Sequence, residues 1–280
     1  MTEHRICTAK LRHFEAYLRE NEKSVATLEK YMRDIRRFAA YIMDAAVDKS
    51  TVLEYKTVLA KTYALTSVNS ILAALNSFFR FEGWFDCCVK QYKIQREVFC
   101  AEEKELTRAE YIALVRAAEE KNNERLSLLI QTVCGTGIRV SELQYITAEA
   151  LKRGEATVTC KGKTRRIFIV SALRKKLLRY AKSHGITNGM IFVTKSGKPM
   201  NRTNIWAEMK RLCKDAGVSA KKVFPHNLRH LFARTFYTME KDIAKLADIL
   251  GHSNINTTRI YTLSSGAEHR RKLEKMRLIL

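Results

Sequence analysis

Two short stretches of this 280-residue chain carry residue types suited to chemistry: His226-Asn-Leu-Arg-His230 and Leu250-Gly-His-Ser-Asn-Ile-Asn-Thr-Thr-Arg-Ile-Tyr261. They place the Tyr261 hydroxyl nine residues after His252 and close in sequence to His226 and Arg229. A tyrosine can attack phosphorus, but a phenol with a pKa of about 10 is a weak nucleophile until neighbours activate it. Imidazole and guanidinium donors match phosphate oxygens and are suited to that work. With Arg139 and Lys161 from earlier in the chain, the set meets the needs of metal-free phosphoryl transfer through a tyrosine.

Each residue taken alone has a plainer reading. Arg139 follows Cys134-Gly-Thr-Gly-Ile; two glycines there allow a tight turn that aims the guanidinium away from the preceding helix, yet a surface ion pair explains a single arginine equally well. Glu142, three residues on, is placed to fix its orientation. Gly135-Thr-Gly137 is not followed by Gly-Lys-Ser/Thr, so it does not read as a phosphate loop. Lys161 sits at the tip of an expected hairpin, where its ammonium can reach a phosphate ester and give a proton to a leaving oxygen, or simply be solvated. His226 and His230 have the i, i+4 spacing of a metal pair, but Asn227 stands where His-Glu-x-x-His has its glutamate, and no third ligand is evident. His230 and Tyr261 each fit a buried core position as well.

The elements that must hold these residues are mainly helical. Ser24 reads as an N-cap, followed by an apolar stripe Val25, Leu28, Met32, Ile35, Ala39 and Ile42. A later helix opens near Thr66-Ser67 and stops at Gly83, and shorter ones are expected around 10–19 and 51–60. Together they predict an all-α unit in residues 1–95, a charged linker over 96–105 and a second unit over 106–280. Thr107-Arg-Ala-Glu110 is a capping-box signature for that unit. Ala156–Cys160 and Arg166–Val170 alternate like strands around Lys161-Gly-Lys-Thr164. Ser171 is expected to cap a helix ending near Gly185, Met190–Val193 to form a short strand, and Asn201 onward to be helical with breaks at Gly217, near Pro225 and at Gly251. The fold class is therefore mainly α with a small β-hairpin.

Composition narrows the function further. The net charge is +22, and residues 152–230 hold 20 Lys+Arg against 3 Asp+Glu. A field so one-sided attracts a polyanion, with counterion release driving association; a merely solvated face is the bland alternative. The basic residues are interleaved with strand-like and helical segments, which suits a membrane surface poorly. Apolar runs fall short of a ~20-residue span, and Met1-Thr-Glu-His-Arg lacks a signal-peptide core, so a soluble, cytoplasmic protein is expected. Seven cysteines without a Cys-x-x-Cys pair point to reduced thiols, neither a disulfide framework nor structural zinc.

The ordered combination is more specific than its parts. Thr-Gly-Ile-Arg-Val-Ser-Glu-Leu, Cys-Lys-Gly-Lys-Thr-Arg-Arg, His-Asn-Leu-Arg-His and Leu-Gly-His…Thr-Thr-Arg-Ile-Tyr-Thr closely resemble the blocks of the tyrosine recombinase (phage integrase) family, over nearly the whole chain. The resemblance implies a helical, SAM-like core-binding domain ahead of an α+β catalytic domain with a C-terminal tail. It implies that Arg139 and Arg229 hold the non-bridging oxygens of the scissile phosphate and that Lys161 protonates the 5′-oxygen leaving group. His226 would assist proton transfer from Tyr261, His252 would hydrogen-bond the phosphate, and Tyr261 would attack to leave a 3′-phosphotyrosyl bond. No cofactor or metal is implied. The implied partner is double-stranded DNA with paired recombination sites, bound by a protein that is monomeric when free and tetrameric on DNA.

Asn227 and Cys160 depart from the commoner aspartate and glycine of the family, at positions that donate no catalytic group. An extra N-terminal arm-binding module is not expected, which favours a Xer-like or small mobile-element recombinase, bacterial or phage-encoded and nucleoid-associated. Two rivals remain at this stage: a type IB topoisomerase-like enzyme that relaxes DNA, and a non-catalytic DNA-binding regulator. The all-helical front unit argues against the first, and the intact set of six residues against the second.

Overall fold

The structure, a computed structural model, describes residues 3–94, 105–160, 163–194, 196–261 and 266–276. The chain divides into two compact units, Met1–Arg96 and Glu97–Leu280.

The first unit is built from α1 (Thr8–Glu20), α2 (Val25–Ile42), α3 (Lys49–Thr62) and α4 (Leu65–Phe81), closed by a 3-10 turn over Phe85–Cys87. Ser24 caps α2 by accepting from the Thr27 amide, and Asp48 caps α3 by accepting from the Thr51 amide. Residues spaced three and four apart on α2 (Leu28, Met32, Ile35, Phe38 and Ile42) are buried against α4. Aromatic packing dominates this core: Phe14 meets Phe78 edge-on at 5.3 Å, and Phe78 meets Trp84 at 5.7 Å. Gly83, at φ 76°, makes the turn that lets Trp84 fold back onto the end of α4.

The second unit runs α5 (Arg108–Glu120), α6 (Glu124–Thr136), a 3-10 segment (Val140–Tyr145), α7 (Ala148–Arg153), β1 (Glu155–Cys160) and β2 (Lys163–Phe168). It continues through α8 (Ser171–Ser183), α9 (Arg202–Leu212), α10 (Pro225–Glu240), α11 (Ile243–Leu250), α12 (Ile255–Arg259) and α13 (Gly266–Met276). α6 is its axis. Leu126, Leu129, Ile130 and Val133 are buried all round it, with α5, α8 and α10 packed on different sides. β1 and β2 form a two-stranded antiparallel sheet in which Val158 faces Arg165. A second, smaller core joins Ala233, Leu246, Leu250 and Tyr261.

The architecture is mainly helical with one small sheet, as expected, but local readings differ at several places. Met190–Val193 is not a strand: Met190 and Val193 form only isolated bridges to Thr147 and Pro199. Val170, not Ser171, is the N-cap of α8, and no side chain caps it. Gly135 lies within α6, so Gly137 alone, at φ 64°, makes the turn before Arg139. The expected break near Pro225 is present: residues 213–224 separate α9 from α10, which Pro225 opens because a first-turn residue needs no amide hydrogen.

Candidate active site

Arg139 stands at the start of the 3-10 segment, where Gly137 reverses the chain after α6. The turn admits little else. A Cβ on Gly137 would lie 2.4 Å from the Phe232 ring of α10. Glu142 fixes the arginine as expected: its carboxylate accepts from the Arg139 amide at 2.9 Å and from Nη1 at 2.8 Å. The same carboxylate accepts from Arg165 Nη2 at 2.5 Å and is 4% exposed. Burial alone would raise its pKa, but the hydrogen bonds from Arg139 and the charges of Arg165 and Arg139 outweigh it and hold it below the usual value. One buried carboxylate thus orients two guanidinium groups.

Arg229, on the first turns of α10, is 2% exposed. It donates to the Gly137 carbonyl at 2.5 Å and the Leu250 carbonyl at 2.8 Å, and meets His252 Nε2 at 3.0 Å. The Tyr261 phenol lies near enough to act on its pKa, favouring the charged form. Burial, then the Arg139 charge, push its pKa down to about 10, which still leaves it charged at neutral pH.

His252 follows Gly251 at the end of α11, and its Nδ1 lies 2.8 Å from Thr258 Oγ1 on α12. Burial and the nearby Arg229 and Arg139 charges push its pKa down to about 4. His226 is lowered by the same causes, burial first and then Arg229. Both rings are therefore neutral near pH 7. The His226 and His252 ring centroids lie 6.4 and 6.0 Å from that of Tyr261. Tyr261 itself is 2% exposed.

Two grooves flank Arg139. One, of about 780 Å³, has Arg139, Arg202, His226 and Arg229 among its lining. The other, of about 540 Å³, is lined in part by Arg139, Arg165 and His252. Both concentrate positive side chains on concave surface, which suits a phosphodiester backbone.

Of the six residues singled out from sequence, five converge here: Arg139, His226, Arg229, His252 and Tyr261. Lys161 lies outside the described residues. Sequence reading missed Arg165 and Thr258. For Arg165 a signal exists, because Arg165, Ile167 and Ile169 alternate on one side of the chain and both isoleucines are buried. A charge on a buried face calls for a partner. Thr258 carries no comparable signal. Among the described residues no third metal ligand stands with His226 and His230; the one group close enough to share an ion is His4, Asp86 and Cys87 in the first unit.

Comparison with known proteins gives matches over both units. The model of the "Phage integrase family" matches residues 104–268, and that of the "Phage integrase, N-terminal SAM-like domain" matches residues 11–84. The tyrosine recombinase XerA of Thermococcus kodakarensis is 30% identical over 279 residues, covering 96% of this chain and 95% of its own. A structure of the XerH site-specific recombinase bound to its difH substrate has a TM-score of 0.70 at 18% identity, covering 95% of this chain and 84% of that one. A lambda integrase tetramer bound to a Holliday junction has a TM-score of 0.75 at 18% identity, covering 93% and 78%.

Proposed function

This chain belongs to the phage integrase family of tyrosine recombinases, and from that membership we propose how its own residues cut and rejoin DNA. It is a DNA-breaking and rejoining enzyme of the site-specific recombinase type. Tyr261 is the nucleophile. Its phenol loses a proton with help from neutral His226 and attacks the scissile phosphorus; the 5′-oxygen leaves with a proton from Lys161. Arg139 and Arg229 hold the non-bridging oxygens, where each lost donor of this kind typically costs ~2.7–4 kcal/mol of transition-state stabilisation. The 3′-phosphotyrosyl link keeps the energy of the broken bond, so attack by a free 5′-hydroxyl reverses each step without ATP.

The observation that carries this reading is the contact set of Arg229. One buried guanidinium meets His252 at 3.0 Å, and the His252 ring stacks over Tyr261 with centroids 6.0 Å apart, so a phosphate drawn to it arrives beside the nucleophile. Because Tyr261 is 2% exposed, its segment has to turn toward the groove when DNA binds.

We further infer action on paired sites by a tetramer assembled on DNA, as in the lambda integrase complex on a Holliday junction. No described helix is long and apolar enough to cross a membrane; work on chromosomal, phage or mobile-element DNA inside the cell fits the chemistry. The units take the roles of a core-binding domain over 1–95, a linker over 96–105 and a catalytic domain over 106–280. Incubation with supercoiled plasmid separates this reading from a relaxing enzyme. Exchange between two sites, with little relaxation of plasmid lacking them, is expected. Efficient relaxation of any plasmid, with no exchange, would point to the topoisomerase alternative.

A further inference from the structure

We propose that His230 is a positioning residue for the nucleophile, setting the Tyr261 ring by an edge-on contact while Glu105 anchors His230 from behind. The inference rests on Tyr261 being the nucleophile. The His230 and Tyr261 ring centroids are 4.4 Å apart with the planes at 72°. That is closer than His226 at 6.4 Å or His252 at 6.0 Å. The ring that most directly limits where Tyr261 can point therefore belongs to a histidine that the phosphate chemistry does not use. Edge-to-face geometry has a preferred direction, so it restrains the phenol more than an aliphatic neighbour of equal size.

The other face of His230 explains how the ring is itself held. Nδ1 is buried without a hydrogen-bond partner, and it lies 3.8 Å from Glu105 Oε1. A buried ring nitrogen at that distance is a small rotation from a hydrogen bond, and making it removes the cost of leaving a polar atom unpaired. Glu105 is 8% exposed and ion-paired with Arg234, one turn further along α10. The carboxylate is thereby fixed to the same helix that carries His226, Arg229 and His230. His230 is neutral near pH 7, since burial pushes its pKa down to about 4; its single N–H, placed on Nδ1, is the donor that the carboxylate requires.

The test compares His230→Phe, which keeps a ring but loses Nδ1, with Glu105→Ala and the double variant. Adduct formation on a nicked suicide substrate is measured in single turnover at saturating DNA, beside gel-shift affinity and thermal melting. Each single variant is expected to slow adduct formation about 10-fold or more, the scale of a misplaced reacting group. DNA affinity is expected to stay within about twofold, since no phosphate contact is lost. The double variant is expected to be no slower than the slower single, because both cut one tie. Wild-type rates per folded molecule in His230→Phe and Glu105→Ala, with only melting lowered, overturn the proposal, as do fully additive effects. If Tyr261→Phe still forms the adduct, the assignment of the nucleophile fails instead, which the same assay reads separately.

Discussion

Arg229 and His252 hold each other through a 3.0 Å contact between Nη2 and Nε2, and Thr258 closes the far side of the imidazole at 2.8 Å. A guanidinium only donates, so Nε2 accepts; the proton of the neutral ring then sits on Nδ1, facing the Thr258 hydroxyl. In this arrangement His252 has no proton to offer a phosphate. For it to donate as the family resemblance implies, the phosphate must draw Arg229 away and the proton must move to Nε2. Thr258 suits that exchange, because a hydroxyl accepts from Nδ1–H in one tautomer and donates to Nδ1 in the other.

Thr258→Val keeps the shape and removes the hydroxyl. With a single hydrogen bond worth about 1 kcal/mol, cleavage is expected to slow roughly 5- to 10-fold in single turnover, with unchanged DNA affinity. An unaltered rate would remove Thr258 from the site.

Arg139→Ala and Arg229→Ala are both expected to slow cleavage by ~10²–10³, yet they should differ in stability. Arg229 is 2% exposed, and deleting it leaves the Gly137 and Leu250 carbonyls without their donor, at a cost of about 1–3 kcal/mol. The Arg139 side chain is 38% exposed, and Glu142 keeps Arg165 when it is gone. Thermal melting should therefore drop clearly for Arg229→Ala and little for Arg139→Ala. Equal drops would contradict the burial argument.

These contrasts also mark how far the sequence could be read. The α2 stripe was legible because helical spacing alone decides it, and Leu28, Met32 and Ile35 are indeed buried. Val25, at the first position of the same stripe, is 71% exposed, because spacing says nothing of where the packing partner ends. The Arg139–Glu142 pair was legible for the same local reason. Arg165 with Glu142 is a contact across 23 positions, and Glu105 beside His230 spans more; no local pattern specifies such a meeting. Met190–Val193 has strand composition but finds no strand to pair with, since its bridges are single.

Acid should destabilise the protein in a defined window. His230 and His252 bind protons at about 6.5 when unfolded but only near 4 when folded. Acidification between those values therefore favours the unfolded chain, which takes up the protons, and stability is lost as pH falls. Denaturant melts at several pH values should show this decline, and in His230→Phe its slope should be shallower by about one proton. An identical slope in the variant would mean that His230 titrates normally in the folded state.

The C-terminal helix α13 exposes Leu273 at 54% and Met276 at 55%. A helix of this length is marginal alone and gains from a surface that covers its apolar side. In the proposed DNA-bound tetramer a neighbouring copy supplies that surface. Removing residues 268–280 should abolish the four-subunit complex in native gels while single-site binding persists. Undiminished assembly by the truncated protein would assign the tail another role.

In the proposed reaction Tyr261 becomes covalently joined to DNA. Trapping the protein on a nicked suicide substrate, followed by proteolysis and mass spectrometry, reads this directly. The expected result is a nucleotide-modified peptide with the phosphate on Tyr261, and no adduct in Tyr261→Phe although that variant binds DNA normally. An adduct of undiminished yield in Tyr261→Phe, or modification mapped to another residue, would rule out Tyr261 as the nucleophile.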